Sequence, residues 1–157
     1  MTDVPRADLP GRRILWTSWA ANVVFAATAV PAALGVRAFD DISIFVAVAF
    51  FLGSLGVWFY ALGAAVVRSS RGDNVVVGNL FLFEGPVPKA VRWHLFGALG
   101  VCLLITAATA AAEPFGVLVP MLPLGLVGLW GARHGTFPPR SDLKGATTRR
   151  VNGRVAE

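Results

Sequence analysis

Four long stretches of the chain contain no Asp, Glu, Lys or Arg: Ile14–Val36, Ile42–Val67, Leu95–Ala112 and Phe115–Ala132. A helix needs ~20 mostly apolar residues to cross a bilayer, with a range of ~17–25. All four runs are long enough to qualify. They predict an all-α membrane protein with four transmembrane helices. The second run exceeds what the hydrocarbon layer requires, so it is expected to tilt or to project past the cytoplasmic face. The breaks have physical causes. Gly35 suits a left-handed helix end, and Asp40–Asp41 suit a capped helix start. Glu113–Pro114 stops the third helix, because the ring disfavours helical geometry in the residue before it, while proline fits the first turn of the next helix. Both connections are short, which predicts two antiparallel hairpins.

Between the hairpins lies a polar and basic segment, 68–92, and the chain ends in a basic tail, 133–157. The basic residues set the orientation. Arg6, Arg12 and Arg13 precede the first span; Arg68, Arg71, Lys89 and Arg92 occupy the central loop; Arg133, Arg140, Lys144, Arg149, Arg150 and Arg154 follow the last. Only Arg37 falls on the other side, beside Asp40 and Asp41. The tail 1–13, the loop and the tail 133–157 are therefore expected in the cytoplasm, with residues 14–132 forming the membrane domain in a cell inner membrane. Trp16, Trp93 and Trp130 lie near the same basic side, where interfacial aromatics belong. Arg12–Arg13 followed by an apolar stretch and Ala29-Val30-Pro31-Ala32 also reads as a cleavable signal, but the run is longer than a signal's apolar core.

Composition narrows the function. Charged residues make up 15% and apolar ones 55%, against ~25% charged in soluble domains. The net charge of +5 would suggest nucleic acid in a soluble protein; here it is what cytoplasmic loops carry. The preference for Arg over Lys, with abundant Ala, Val and Gly, fits a GC-rich bacterial genome. Cys102 is the one cysteine, so neither an internal disulfide nor a paired-thiol site exists. No phosphate loop, HExxH, GxSxG or paired-carboxylate motif appears. His94 has no ligand-type neighbour at metal-site spacing. No cofactor or metal is expected, and no catalytic residue, although Asp73, Glu84, Arg92 and His94 would need to be weighed if the cytoplasmic face gathered them. The tail 133–157 buries too little apolar surface to fold alone; it suits retention at anionic headgroups or docking of a cytoplasmic partner.

The central loop is the most informative segment. Val75–Val77 and Leu80–Phe83 favour strands, and Gly78–Asn79 is a two-residue turn signal, so a short β-hairpin is predicted. Neither strand alternates apolar with polar residues, and an isolated hairpin is marginal in water. The loop must lean on a surface. Either Phe81 and Phe83 anchor it among headgroups, or Val75, Val77, Leu80, Phe81 and Phe83 form a partner-binding edge.

Within the spans, Ala49, Gly53, Gly56 and Gly63 fall on one stripe of the second helix, with Tyr60 in the remaining place. Small residues let membrane helices approach closely, so the stripe predicts helix packing, within the bundle or against another subunit. Asn22, the one full amide in the spans, is expected to hydrogen-bond across helices. Pro120 and Pro123 remove backbone donors and free the carbonyls of Gly116 and Val119. That break is either a tolerated kink or a small polar site.

The stretch RGDNVVVGNLFLFEGPVPKAVR between two apolar hairpins, above all Gly78-Asn79-Leu80-Phe81 and Pro86–Arg92, resembles small four-span membrane proteins of actinobacteria. The resemblance is one of layout and implies a multi-pass membrane fold without an activity or site residues. Small multidrug transporters carry a membrane-embedded Glu in the first helix, and thiol oxidases of the vitamin K epoxide reductase type carry paired cysteines; neither is present. With no ionisable residue inside the spans, the leading expectation is a non-enzymatic accessory or scaffold subunit. Its partners would be the lipid bilayer and a membrane protein or second copy, not nucleic acid. The alternative is a small transporter or lipid-handling protein with a site near Pro120 and Pro123.

Overall fold

The computed structural model describes residues 9–83 and 86–138. Arg6, Glu84 and the basic tail beyond Pro138 lie outside the described residues. Helix α1 spans Arg12–Ala33, α2 Asp40–Ser70, the single turn α3 Val77–Leu80, α4 Lys89–Thr109 and α5 Met121–His134. Short 3₁₀ segments, Arg37–Phe39 and Pro114–Leu118, precede α2 and α5. Four helical stretches are long and apolar enough to cross a membrane: Arg12–Ala33, Arg37–Ser70, Lys89–Thr109 and Pro114–His134. The protein is a multi-pass membrane protein.

The helix ends follow their sequence signals in part: α4 already stops at Thr109, and Pro114 opens a 3₁₀ segment instead of α5. Gly35 ends α1 at φ 84°, and its N–H donates to the Ala32 carbonyl. Asp40 and Asp41, by contrast, do not cap α2 with their side chains; they lie inside its first turn. There their negative charge still meets the positive end of the helix dipole. α2 runs for 31 residues, or ~46 Å at 1.5 Å per residue, well beyond a hydrocarbon thickness of ~30 Å.

Packing joins the helices in a ring: α1 against α2 and α4, α5 against α4 and, most extensively, α2. One end of the bundle brings together Leu15 at the start of α1, Val91 and Leu95 at the start of α4, and Val127 and Trp130 near the end of α5. Arg68, near the end of α2, reaches the Ala132 and Gly135 carbonyls at this same end. Deeper in the bundle, Phe25, Ala29, Ala47, Cys102 and Val119 form a second cluster. Asn22 lies between them and donates to the Ala98 carbonyl at 2.7 Å, the cross-helix bond its amide predicts.

The loop between α2 and α4 departs from expectation. Among the described residues there is no strand. Gly78–Asn79 sit inside the helical turn α3, where Leu80 N–H donates to Val76 and Phe81 N–H to Val77. The reason is the absence of alternation noted above. A hairpin would expose one apolar face, whereas a helical turn satisfies its amides locally and turns Leu80 and Leu82 into the bundle.

Candidate functional site

Leu80 and Leu82 are buried, and Leu82 is 0% exposed, packed with Leu15, Val91, Leu95, Val127 and Trp130. Phe81 lies on Trp58, ring centroids 5.8 Å apart. Val75 is half-buried on the Ala65, Leu80 and Ala132 cluster. Leu80, Phe81 and Val75 are therefore occupied within the chain and do not form an open partner-binding edge. Val77 and Phe83, each 69% exposed, are the two of that set that stay mostly open, although the Phe83 ring also meets Phe96. The loop does need a surface, and the end of α5 supplies it.

What makes that surface is Gly125, Gly128 and Gly131, three residues apart on α5. A Cβ on Gly125 would stand 3.0 Å from the Trp58 indole, and one on Gly128 would stand 3.6 Å from the Phe81 ring. On Gly131 it would overlap the Leu80 backbone carbonyl. The Leu80 main chain thus lies directly against α5, an approach that only glycine allows. Leu82, next to this contact, holds φ 62°, the left-handed region that leucine normally avoids. Its complete burial compensates.

Arg68 fastens the same end. Its Nε donates to Asp73 Oδ2 at 3.0 Å, and Nη1 donates to the Ala132 and Gly135 carbonyls at 3.2 and 2.7 Å. The guanidinium also lies 4.6 Å over the Phe137 ring. These are the carbonyls that the last turn of a helix leaves unpaired. Asp73 is thereby committed to an ion pair, while His94 stands exposed. Glu84, considered with them from the sequence, lies outside the described residues. At the other end of the bundle, the buried Glu113 accepts a hydrogen bond from Ser43 Oγ in the first turn of α2. In the sequence, Glu113 marks only a helix stop before Pro114. Among the described residues no three His, Cys, Asp or Glu side chains come together as metal ligands.

The last span changes helix type at Pro120, and Pro123 is accommodated near the start of α5. Pro120 precedes α5, and a 3₁₀ segment replaces the helix before it. The carbonyls this frees are occupied: Gly116 accepts from Val119 N–H and from Thr106 Oγ1, and Val119 accepts from Leu122 N–H.

The small-residue stripe on α2 faces away from the bundle. Ala49, Gly53, Gly56 and Gly63 are exposed, and a Cβ at any of the three glycines would meet nothing within 4 Å. They are not packing positions within this chain. The bundle face of α2 is instead Ser43, Ala47, Ser54, Ala61 and Ala65. In its most apolar stretch only 17% of α2 is buried, against 61% for the last span.

A groove of about 490 Å³ opens beside the start of α4, lined by Leu82, Phe83, Lys89, Arg92, Trp93 and Phe96. Arg92 Nε is shielded from water and has no hydrogen-bond acceptor, an arrangement that costs ~1–3 kcal/mol for a buried donor. The first turn of α4 has no side-chain cap. No protein-family model, curated protein sequence or solved structure matches this chain.

Proposed function

We infer that this chain is a non-enzymatic accessory or scaffold subunit of a bacterial inner-membrane complex, and that it assembles through the outer face of α2. The observation that carries this reading is the stripe of Ala49, Gly53, Gly56 and Gly63, exposed along the least covered span. Without a hydrophobic driving force in lipid, membrane helices associate where small residues let backbones come close. Here that surface is uncovered by the chain's own helices, and exposed Phe45, Leu52 and Phe59 flank it. The partner is another membrane protein or a second copy.

In this reading the spans form two antiparallel hairpins with both termini in the cytoplasm. Supporting it, Arg12, Arg13, Arg68, Arg71, Lys89, Arg92 and Arg133 belong to the helix ends and loop gathered at one end of the bundle. Arg37, Asp40, Asp41 and Glu113 belong to the other connections. Reporter fusions near Arg37 should be active in the periplasm and those after Ala90 inactive. The transporter alternative at Pro120 and Pro123 has less support, because the freed carbonyls already accept hydrogen bonds.

The test is extraction at native expression in a gentle detergent, followed by size analysis and cross-linking from the 49–63 face. Gly53→Leu with Gly56→Leu should shift the complex to a smaller species while the fold persists, since nothing lies where the new side chains go. A wild-type chain that runs alone, or a complex of unchanged size in the double variant, overturns the reading.

A further inference from the structure

The groove beside α4 has a polarity gradient along a single helix stripe. Lys89, Arg92, Trp93 and Phe96 are spaced at i, i+3, i+4 and i+7, so they stand on one face. Their span along the axis is ~10 Å at 1.5 Å per residue. Two cations occupy the end where α4 begins, and two aromatic rings follow. Phe83 closes one side, its ring centroid 5.8 Å from that of Phe96, and the buried Leu82 contributes to the lining. Among the described residues, no acidic side chain lines the groove. Beyond Phe96 the same stripe continues through Gly100, where a Cβ would meet nothing within 4 Å, to the exposed Leu103. That leaves an apolar furrow running on from the cationic end.

We propose that this groove is a binding site for an acidic phospholipid, with its phosphodiester headgroup at Lys89 and Arg92 and its acyl chain along Phe96, Gly100 and Leu103. Three observations converge on that occupant. The Arg92 side chain lines the groove with Lys89, and a phosphate oxygen is the acceptor that a planar guanidinium fork fits best. The uncapped first turn of α4 adds backbone donors and the positive end of a helix dipole beside the same two side chains. The drop from cation to aromatic over ~10 Å, and on to aliphatic Leu103 at ~21 Å, matches the headgroup-to-chain boundary of a bilayer leaflet. A soluble anion would leave the apolar two-thirds of the groove uncovered, and a zwitterionic lipid would bring a second cation to Lys89. The site does not depend on α2 or on any assembly through it.

The experiment is native mass spectrometry of the full chain in a non-ionic detergent, titrated with phosphatidylglycerol or with phosphatidylcholine of the same chains. Wild type should retain one phosphatidylglycerol per chain and discriminate against phosphatidylcholine. Lys89→Gln with Arg92→Gln should weaken retention by about tenfold or more, the loss of two charge-assisted contacts. Arg92→Lys, which keeps the charge but not the fork, should fall between. Arg13→Gln with Arg71→Gln removes the same charge away from the groove and should bind as wild type. Labelling of buried Cys102 on heating checks that each variant is folded. Equal weakening in the two double variants, equal retention of both lipids, or displacement of the lipid by millimolar inorganic phosphate overturns the proposal.

Discussion

Gly131→Ala is the smallest substitution that tests how the loop is held. A methyl at this position overlaps the Leu80 carbonyl, a backbone atom that no side-chain rotation can move aside. Either α5 shifts or the 80–82 segment lifts away. Overpacking of this kind costs ~1–3 kcal/mol when the surroundings adjust. Full release of the segment would expose Leu80 and Leu82, at ~1.5–3 kcal/mol for each buried leucine, so ~3–6 kcal/mol is the ceiling. At ~2–4 °C per kcal/mol for a chain of this size, the expected drop in Tm is on the order of 5–10 °C. The chain supplies its own reporter. Cys102 is its one thiol and is fully buried between helices, so a thiol-reactive dye labels it only when the bundle opens. Gly53→Ala is the control: it makes the same chemical change on a helix where the new methyl meets nothing, and Tm should hold or rise slightly through better helix propensity. Superimposable labelling curves for Gly131→Ala and wild type, or a larger loss for Gly53→Ala, would refute the assignment of packing to α5 and free surface to α2.

Leu82→Ala should cost ~2–4 kcal/mol through lost burial, while Leu82→Gly should be less stable than wild type yet no less stable than Leu82→Ala, since glycine escapes the ~1–2 kcal/mol left-handed penalty; the same thermal assay ranks them. Arg68→Lys should lose ~1–2 kcal/mol despite keeping the charge, because an ammonium cannot bridge Asp73 and two carbonyls at once. Limited proteolysis near residues 71–76 should accelerate in that variant, and unchanged cleavage would count against the clamp. Asn22→Ala should lower stability by ~0.6–2 kcal/mol through the lost bond to the Ala98 carbonyl, read by Cys102 labelling.

The membrane class, the four apolar stretches and the left-handed end at Gly35 were legible because each rests on composition or on a single residue's backbone preference. Asn22 was legible for the same reason, since a lone amide in lipid must find an acceptor. The loop was misread because strand propensity at Val75–Val77 and Leu80–Phe83 is a weak preference that tertiary contact overrides. The lack of alternation pointed to burial on both faces, yet it did not say which surface would provide it. Gly125-x-x-Gly128-x-x-Gly131 is as regular as the α2 stripe and was available in the sequence. Nothing local distinguishes a glycine stripe that receives a loop from one that faces outward. Arg68 and Ser43 were hidden for a different reason: their partners, the end of α5 and Glu113, are far away in the chain.

Two glycine patterns of similar spacing thus do opposite work, and what surrounds each explains the difference. On α5 the residues between the glycines, Leu126, Val127 and Trp130, are buried, so α5 is covered around most of its circumference and its glycines serve contacts already made. On α2 the intervening Leu52, Leu55, Phe59 and Leu62 are exposed, while the bundle face is built from Ser and Ala. A helix needs only one close-packing face to join its own bundle, and α2 has that face in Ser43, Ala47, Ser54, Ala61 and Ala65. Glycine on the opposite face adds nothing to the isolated fold and lowers helix propensity by ~1 kcal/mol per residue relative to alanine. Replacing Gly53, Gly56 and Gly63 together with alanine should therefore stabilise the isolated chain and weaken its assembly. A single variant that moves Cys102 labelling and complex size in opposite directions would separate the fold of this protein from its association. Losses in both would place the α2 glycines back inside the fold.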